Sequence, residues 1–380
     1  MTRNGATERR GAAVSSVEPS PWRRTAPPRS SVAGLALVSL AIVLLPGDRM
    51  AGEEVPSPSS RVSQRVPLSV ESWGYQLQEF DLSALEKSAF DLLVIDYSTT
   101  GDASGELSAA QVEALRAGPC GQRAVLAYLS IGEAESYRYY FDAAWLDDGG
   151  DPGPGAPAFL GPTNPDWEGN YKVRYWLRAW QRILFGSAAG RDVSYLDRII
   201  DAGFDGVYLD IVDAYEFWGP SEIGGNNERR RAPADMVKLI RRLASHARKT
   251  RGVSEFLVVP QNGAGIIHAE TYPDAGNPEN QAARQRRAYF RVIDGIGAED
   301  TFYFGGRDQN NPLRPQRFTI ALLDLFAVAG NTVLAIDYLT QRGKIDRFWR
   351  LASERGYIPY VSRRDLDRLT MPPGHAPVCG

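Results

Sequence analysis

The sequence predicts a single-domain α/β fold, a (β/α)8 TIM barrel preceded by an export segment and a linker, and three observations carry that prediction. Eight short apolar runs recur between Ser69 and Val361, mostly separated by stretches of helical spacing, which is the repeat of a closed parallel barrel. No GxGxxG or GxxxxGK[ST] loop stands at a strand-to-helix turn, which leaves an open doubly wound sheet as the weaker alternative. Several of the runs also end in a carboxylate, at the rim where barrels place their chemistry.

The chain has 380 residues and a formal charge of −3. Seven Arg against two Glu and one Asp give residues 1–50 a charge of +4, so the remainder carries −7. That sign argues against a nucleic-acid partner. Residues 1–51 read as a basic tail followed by a signal peptide or membrane anchor. The run Val32 to Leu45 is uncharged and follows Arg23, Arg24 and Arg29, the layout of an export signal. It is short for a spanning helix, which needs about 20 residues. Residues 52–68 are polar and Pro-containing, as a linker is. The barrel is expected over 69–362, with a C-terminal tail at 363–380. Cys120 and Cys379 have no metal-type spacing and read equally as one disulfide or two unrelated thiols. With only His246, His268 and His375 in the chain, a His-rich zinc site is not expected, and no cofactor is implied.

The elements follow in order. Trp73 to Leu77 is the first strand, Asp81 to Phe90 has helical spacing, and Asp91 to Tyr97 is the second strand. Ser108 with Gln111 three residues later is a capping box, and Gly118 stops that helix. The third strand, Ala124 to Ile131, leads into a Gly/Pro-rich loop at Asp147 to Asp166 and an aromatic strand and helix at Tyr171 to Phe185. A helix at Ser194 to Ala202 precedes the fourth strand, Gly206 to Ile211. A helix at Ala234 to Arg248 leads to the fifth strand, Phe256 to Pro260, and Val292 to Glu299 is the sixth. Pro315 to Ala329 is an amphipathic helix before the seventh strand, Thr332 to Asp337; the eighth, Tyr357 to Val361, follows a helix near Ile345 to Arg355.

Residues two apart on a strand share a face. On that basis Gly206, Tyr208 and Asp210 face the axis from the fourth strand, and Gly295, Gly297 and Glu299 from the sixth. The same parity aligns Leu92, Val94 and Asp96 on the second strand and Val333, Ala335 and Asp337 on the seventh. Asp96, Asp210, Glu299 and Asp337 are thus expected around one pocket, unless each caps a helix or pairs with an Arg. Paired carboxylates suit glycosidic cleavage, in which one acid protonates the leaving oxygen and the other attacks the anomeric carbon or activates water. Crowding raises the pKa of one of them, keeping a proton at hand.

Other residues extend the candidate site. Trp73 and Tyr128 belong to a set of aromatics near the rim whose faces suit stacking on sugar rings, or else fill the core. Glu133 and Glu135 read as substrate contacts or as the start of a helix, and Gln261 and Asn262 as donors to hydroxyls or as a turn. Asp213 is expected in a supporting or substrate-contacting role.

YLSIGEAESYRYY (Tyr128 to Tyr140), GFDGVYLDIVDAYEFW (Gly203 to Trp218), PQNG (Pro260 to Gly263), IDGIGAED (Ile293 to Asp300) and AIDY (Ala335 to Tyr338) resemble glycoside hydrolase family 114. The resemblance spans about Ser69 to Val361. It implies a barrel associated with endo-acting cleavage of α-1,4-linked galactosamine polymers, with catalytic acids at Asp210 and Glu299. The leading expectation is therefore an exported endo-glycosidase with a polysaccharide or oligosaccharide substrate. In it Asp210 is nucleophile or base and Glu299 the acid, or the reverse. Two alternatives stand beside it: a metal-dependent hydrolase with Asp210, Asp213 and Glu299 on Mg²⁺, and a carbohydrate-binding barrel without turnover. Membrane attachment through 32–45 is a further expectation.

Overall fold

In the computed structural model, residues 68–186 and 193–379 are described. The basic tail, the apolar run and the linker up to Pro67 lie outside them. Eight parallel strands follow one another: β1 Trp73–Gln76, β2 Leu92–Ile95, β3 Ala124–Ser130, β4 Gly206–Asp210, β5 Leu257–Pro260, β6 Gly295–Glu299, β7 Thr332–Asp337 and β8 Ile358–Val361. The intervening helices are α1 Leu82–Glu86, α2 Ala109–Arg116, α3 Arg178–Leu184, α4 Tyr195–Asp201, α5 Ala214–Trp218, α6 Ala232–Ser245, α7 Pro278–Phe290, α8 Arg317–Val328 and α9 Arg342–Ser353.

Parallel ladders run without interruption through β1–β5 and again through β6–β8. The two sheets meet at a parallel bridge between Gln261 and Gly297, flanked by Asp294 N–H on Val258 O at 2.9 Å and Asn262 N–H on Gly297 O at 2.8 Å. Between β8 and β1, the Trp73 indole N–H donates to Ile358 O at 3.0 Å. Each strand is a short apolar run buried on both faces, as parallel strands covered by helices must be.

Local signals explain most element boundaries. The Ser108 hydroxyl accepts from Gln111 N–H while the Gln111 side chain accepts from Ser108 N–H, so α2 starts where its capping box predicts. Helix α1 is shorter than its spacing suggests, five residues started by Asp81 accepting from Ser83 N–H. Helix α7 carries few apolar residues and buries only Ala282 and Tyr289, so its weak periodicity gave no sequence signal. Among the described residues no helix is long and apolar enough to cross a membrane.

Aromatic rings cluster between the strands. Trp73 lies 6.0 Å from Tyr75, 6.1 Å from Tyr208 and 5.5 Å from Tyr360, ring centroid to centroid. Register pairs Trp73 with Leu92 and Leu92 with Ala124, at the opposite end of β3 from the rim. Trp73 is therefore a core residue at the N-terminal ends of the strands, and the sugar-stacking role expected for it does not hold.

The stretch after residue 362 packs back on the rest of the fold. Leu77 and Gln78 N–H groups donate to Leu366 O at 2.9 and 3.1 Å, the Tyr360 hydroxyl accepts from Thr370 N–H at 2.9 Å, and Cys379 is disulfide-bonded to Cys120. Of the two readings open for the cysteines, the paired one is realised, closing the chain across 259 residues.

Candidate active site

The inward-facing residues of neighbouring strands can be followed through the register. Tyr128 pairs with Tyr208, Ser130 with Asp210, Gln261 with Gly297, and Glu299 with Ile336. Asp210 and Glu299 thus end the inward rows of β4 and β6, and both side chains are part-exposed. The residue after each strand end adopts a left-handed backbone: Ile211 (φ 55), Asn262 beyond β5 (φ 58) and Asp300 (φ 50). For a β-branched residue such as Ile211 that conformation is costly, and such outliers gather where chemistry fixes the chain. Gly132 makes room for the turn, since a Cβ there would meet Ile211 O at 2.2 Å.

Each acid is held by fixed donors. The Tyr128 hydroxyl donates to Asp210 Oδ2 at 2.8 Å. Asn262 brackets Glu299, donating from Nδ2 to Oε2 at 3.1 Å and accepting Glu299 N–H on Oδ1 at 3.1 Å; the Tyr338 hydroxyl donates to Glu299 Oε1. The Arg364 guanidinium lies 4.0 Å from the Tyr338 ring centroid and pairs with Asp300 at 2.6 Å. Burial first, and then the charge of Glu299, push the Asp210 carboxyl well above the ordinary carboxylate range against the pull of the Tyr128 hydroxyl. Asp213 is pushed up to about 7 by burial and by the charges of Glu216, Glu133 and Glu299, with Lys172 opposing.

The other expected contacts are placed differently. Asp96 does face inward, but it is fully buried under Arg138, which grips both its oxygens at 2.9 and 2.7 Å. Asp337 is on the opposite face: register aligns Ile336, not Asp337, with Glu299, and the Asp337 carboxylate accepts Phe302 and Tyr303 N–H at 3.2 Å. The substrate-contacting role expected for both acids therefore gives way to a structural one. Glu133 and Glu135 belong to a short strand, Glu133–Glu135, paired antiparallel with Asn170–Val173, so they do not start a helix. Glu133 is buried on Asn164 at 2.9 Å and Lys172 at 3.3 Å. Gln261 is buried and accepts the Tyr75 hydroxyl at 3.2 Å. Tyr128 and Asn262, expected on substrate, are spent on the two acids. Among the described residues no group of three or more His, Cys, Asp or Glu is placed to hold a metal ion.

Sequence reasoning missed Arg138, Tyr338 and Arg364. Tyr338 follows Asp337 in the AIDY motif, and the strand parity that read Asp337 as inward-facing placed Tyr338 on the opposite face.

Gly297 shapes the floor below the acids. A Cβ there would lie 1.8 Å from the Tyr208 hydroxyl, which β6 could avoid only by moving. Gly297→Ala is expected to cost about 1–3 kcal/mol by overpacking and to shift Glu299, two residues on. Thermal denaturation checks this; an unchanged melting temperature would show that Tyr208 is not wedged against β6.

Successive parallel strands with helices between them, and polar chemistry collected at their C-terminal ends, define an α/β scaffold of the kind that carries enzyme sites at that rim. The model of glycoside-hydrolase family GH114 matches residues 55–376, and the chain belongs to that family and is a glycoside hydrolase acting on carbohydrate. It is similar to an uncharacterized protein of Methanocaldococcus jannaschii, 35% identical with 78% of this chain and 77% of the relative covered. A Deinococcus radiodurans protein is 34% identical, with 83% and 88% covered. In fold the chain resembles the glycoside hydrolase domain of PelA from Pseudomonas aeruginosa, with a TM-score of 0.50, 19% identity, and 79% of this chain and 97% of that domain covered.

Proposed function

We propose that this protein is an exported, endo-acting glycosidase of α-1,4-linked galactosamine-type polymers, working on a closed (β/α)8 barrel with Asp210 and Glu299 as its carboxylate pair. One observation carries the reading: two part-exposed carboxyls end β4 and β6, near enough that the charge of Glu299 lifts the pKa of Asp210, and each is fixed by side-chain donors. In this reading Asp210 acts as nucleophile or base and Glu299 protonates the leaving oxygen, or the two roles are reversed. The Tyr338 hydroxyl, backed by Arg364, fixes the orientation of Glu299.

The net charge of −7 outside residues 1–50 suits a polycationic, deacetylated amino-sugar chain. The Cys120–Cys379 disulfide supports an oxidising compartment and hence export, with membrane attachment through 32–45. The test is digestion of defined α-1,4-galactosamine and β-1,4-glucosamine polymers with product mass spectrometry. Oligomers of mixed length released early from the α-linked polymer alone are expected. Exclusive cleavage of the β-linked polymer would refute the substrate assignment.

A further inference from the structure

Behind the catalytic pair lies a buried polar assembly that the proposed reaction does not use. Arg138 is fully enclosed, and its guanidinium donates to both oxygens of Asp96 and, through Nε at 2.7 Å, to Glu135 Oε2. Four tyrosine rings, of Tyr97, Tyr128, Tyr137 and Tyr195, surround it at 4.8 to 5.8 Å. Glu135 Oε1 accepts the Tyr137 hydroxyl at 2.7 Å and lies 3.2 Å from the Tyr128 hydroxyl, the same group that donates to Asp210 Oδ2 at 2.8 Å. Tyr128 thus has one hydroxyl hydrogen and two carboxylate acceptors within reach.

We propose that Tyr128 is a two-position proton gate, with Glu135 as its second acceptor, that follows the charge of Asp210. With Asp210 ionised, the Tyr128 O–H points to Asp210 Oδ2. When Asp210 takes up a proton, its own O–H donates to the Tyr128 oxygen and the Tyr128 hydrogen turns to Glu135 Oε1. No proton leaves the phenol: the hydroxyl rotates, and every donor and acceptor stays paired in both states, as a buried network requires. Arg138 and Asp96 hold Glu135 where it can receive that hydrogen. Tyr128 and Glu135 are positioning residues, since they act through Asp210.

The surroundings leave this gate as the group best placed to set the balance from that side. Asp210 is faced by Tyr128 from β3, Glu299 from β6, Tyr75 from β1, Tyr208 on β4 and Asp213 beyond it. Glu135 is faced by Arg138, Tyr137 and Tyr140 from its own segment, Tyr128 from β3, Asp96 beyond β2 and Tyr195 from α4. Burial holds Glu135 above the ordinary range while Arg138 pulls it down.

The test is the apparent pKa of Asp210, read by carbon NMR of the full chain labelled at aspartate side-chain carboxyls, the signal being identified by its loss in Asp210→Asn. Tyr128→Phe removes the donor and is expected to raise that pKa by about one unit. Glu135→Gln keeps the tyrosine hydrogen on Asp210, because an amide N–H now faces the phenol oxygen, and removes a nearby negative charge; the pKa is expected to fall by about one unit. Tyr137→Phe leaves Glu135 short of a donor and is expected to raise it, which keeps the test open should Glu135→Gln not fold. Shifts of the same sign in Tyr128→Phe and Glu135→Gln, or none in Tyr137→Phe, would overturn the gate. The gate has its catalytic meaning only if Asp210 belongs to the reaction. Full activity of Asp210→Asn would sink that reading while leaving the titration result standing.

Discussion

Asp210→Asn and Glu299→Gln are each expected to lower kcat on the polymer by about 10²–10⁴-fold, with little change in folding. Neither acid holds the barrel together. Both are part-exposed at strand ends, and an amide keeps the shape that Tyr128, Asn262 and Tyr338 bind. What the amide cannot do is change its charge. On the proposed mechanism, removing the Asp210 carboxylate removes the group that attacks or activates water, and removing the Glu299 carboxyl leaves the departing oxygen unprotonated.

The two losses are separable with an aryl glycoside whose leaving group needs no proton. Glu299→Gln is expected to recover much of its rate on such a substrate, and Asp210→Asn is not. Initial rates on polymer and aryl glycoside, for wild type and both variants, decide the matter. Recovery in Asp210→Asn instead would exchange the two roles, and undiminished rates in both would remove the pair from the mechanism.

The strand pattern was legible because parallel strands buried on both faces must be continuously apolar, and DLLVID, AVLAYLSI, GVYLD and TVLAID are. Parity within one strand was legible too: it aligned Tyr208 with Asp210 and Gly297 with Glu299, as the register does. Register between strands is a property of pairs, and there sequence parity failed. Nothing within TVLAID says that Ile336 and not Asp337 lies beside Glu299. The partners of the acids were equally hidden. Arg138 reaches Asp96 across 42 residues and Asn262 reaches Glu299 across 37, contacts that local spacing cannot express. Trp73 shows a third limit: an aromatic on the inward face fills the core or lines the site according to its height in the barrel, which the strand tilt fixes.

Arg138→Met is expected to destabilise the fold by about 3–5 kcal/mol, because it strands two buried carboxylates without their cation. Asp96 and Glu135 are both fully enclosed, with their Arg138 contacts at 2.7 Å, so water cannot replace the lost partner. The size of the loss should depend on pH, and its sign follows from Glu135. Burial already holds that carboxyl above its ordinary range with Arg138 pulling the other way; without the arginine its folded-state pKa rises further above the unfolded value. A carboxyl shifted upward on folding favours the folded protein below its unfolded pKa, and that contribution disappears as pH rises through the folded value. The deficit of the variant is therefore greatest near neutrality and shrinks on acidification, when Glu135 is discharged. Denaturant unfolding of wild type and variant from about pH 7 down to about pH 4 measures it. Adding Asp96→Asn and Glu135→Gln to Arg138→Met is expected to recover part of the loss and to flatten its pH dependence, since neutral amides cost less to bury than unpaired charges. A deficit that instead stayed constant across that pH range would mean that Arg138 stabilises the fold by packing among its tyrosines and not by neutralising the two acids.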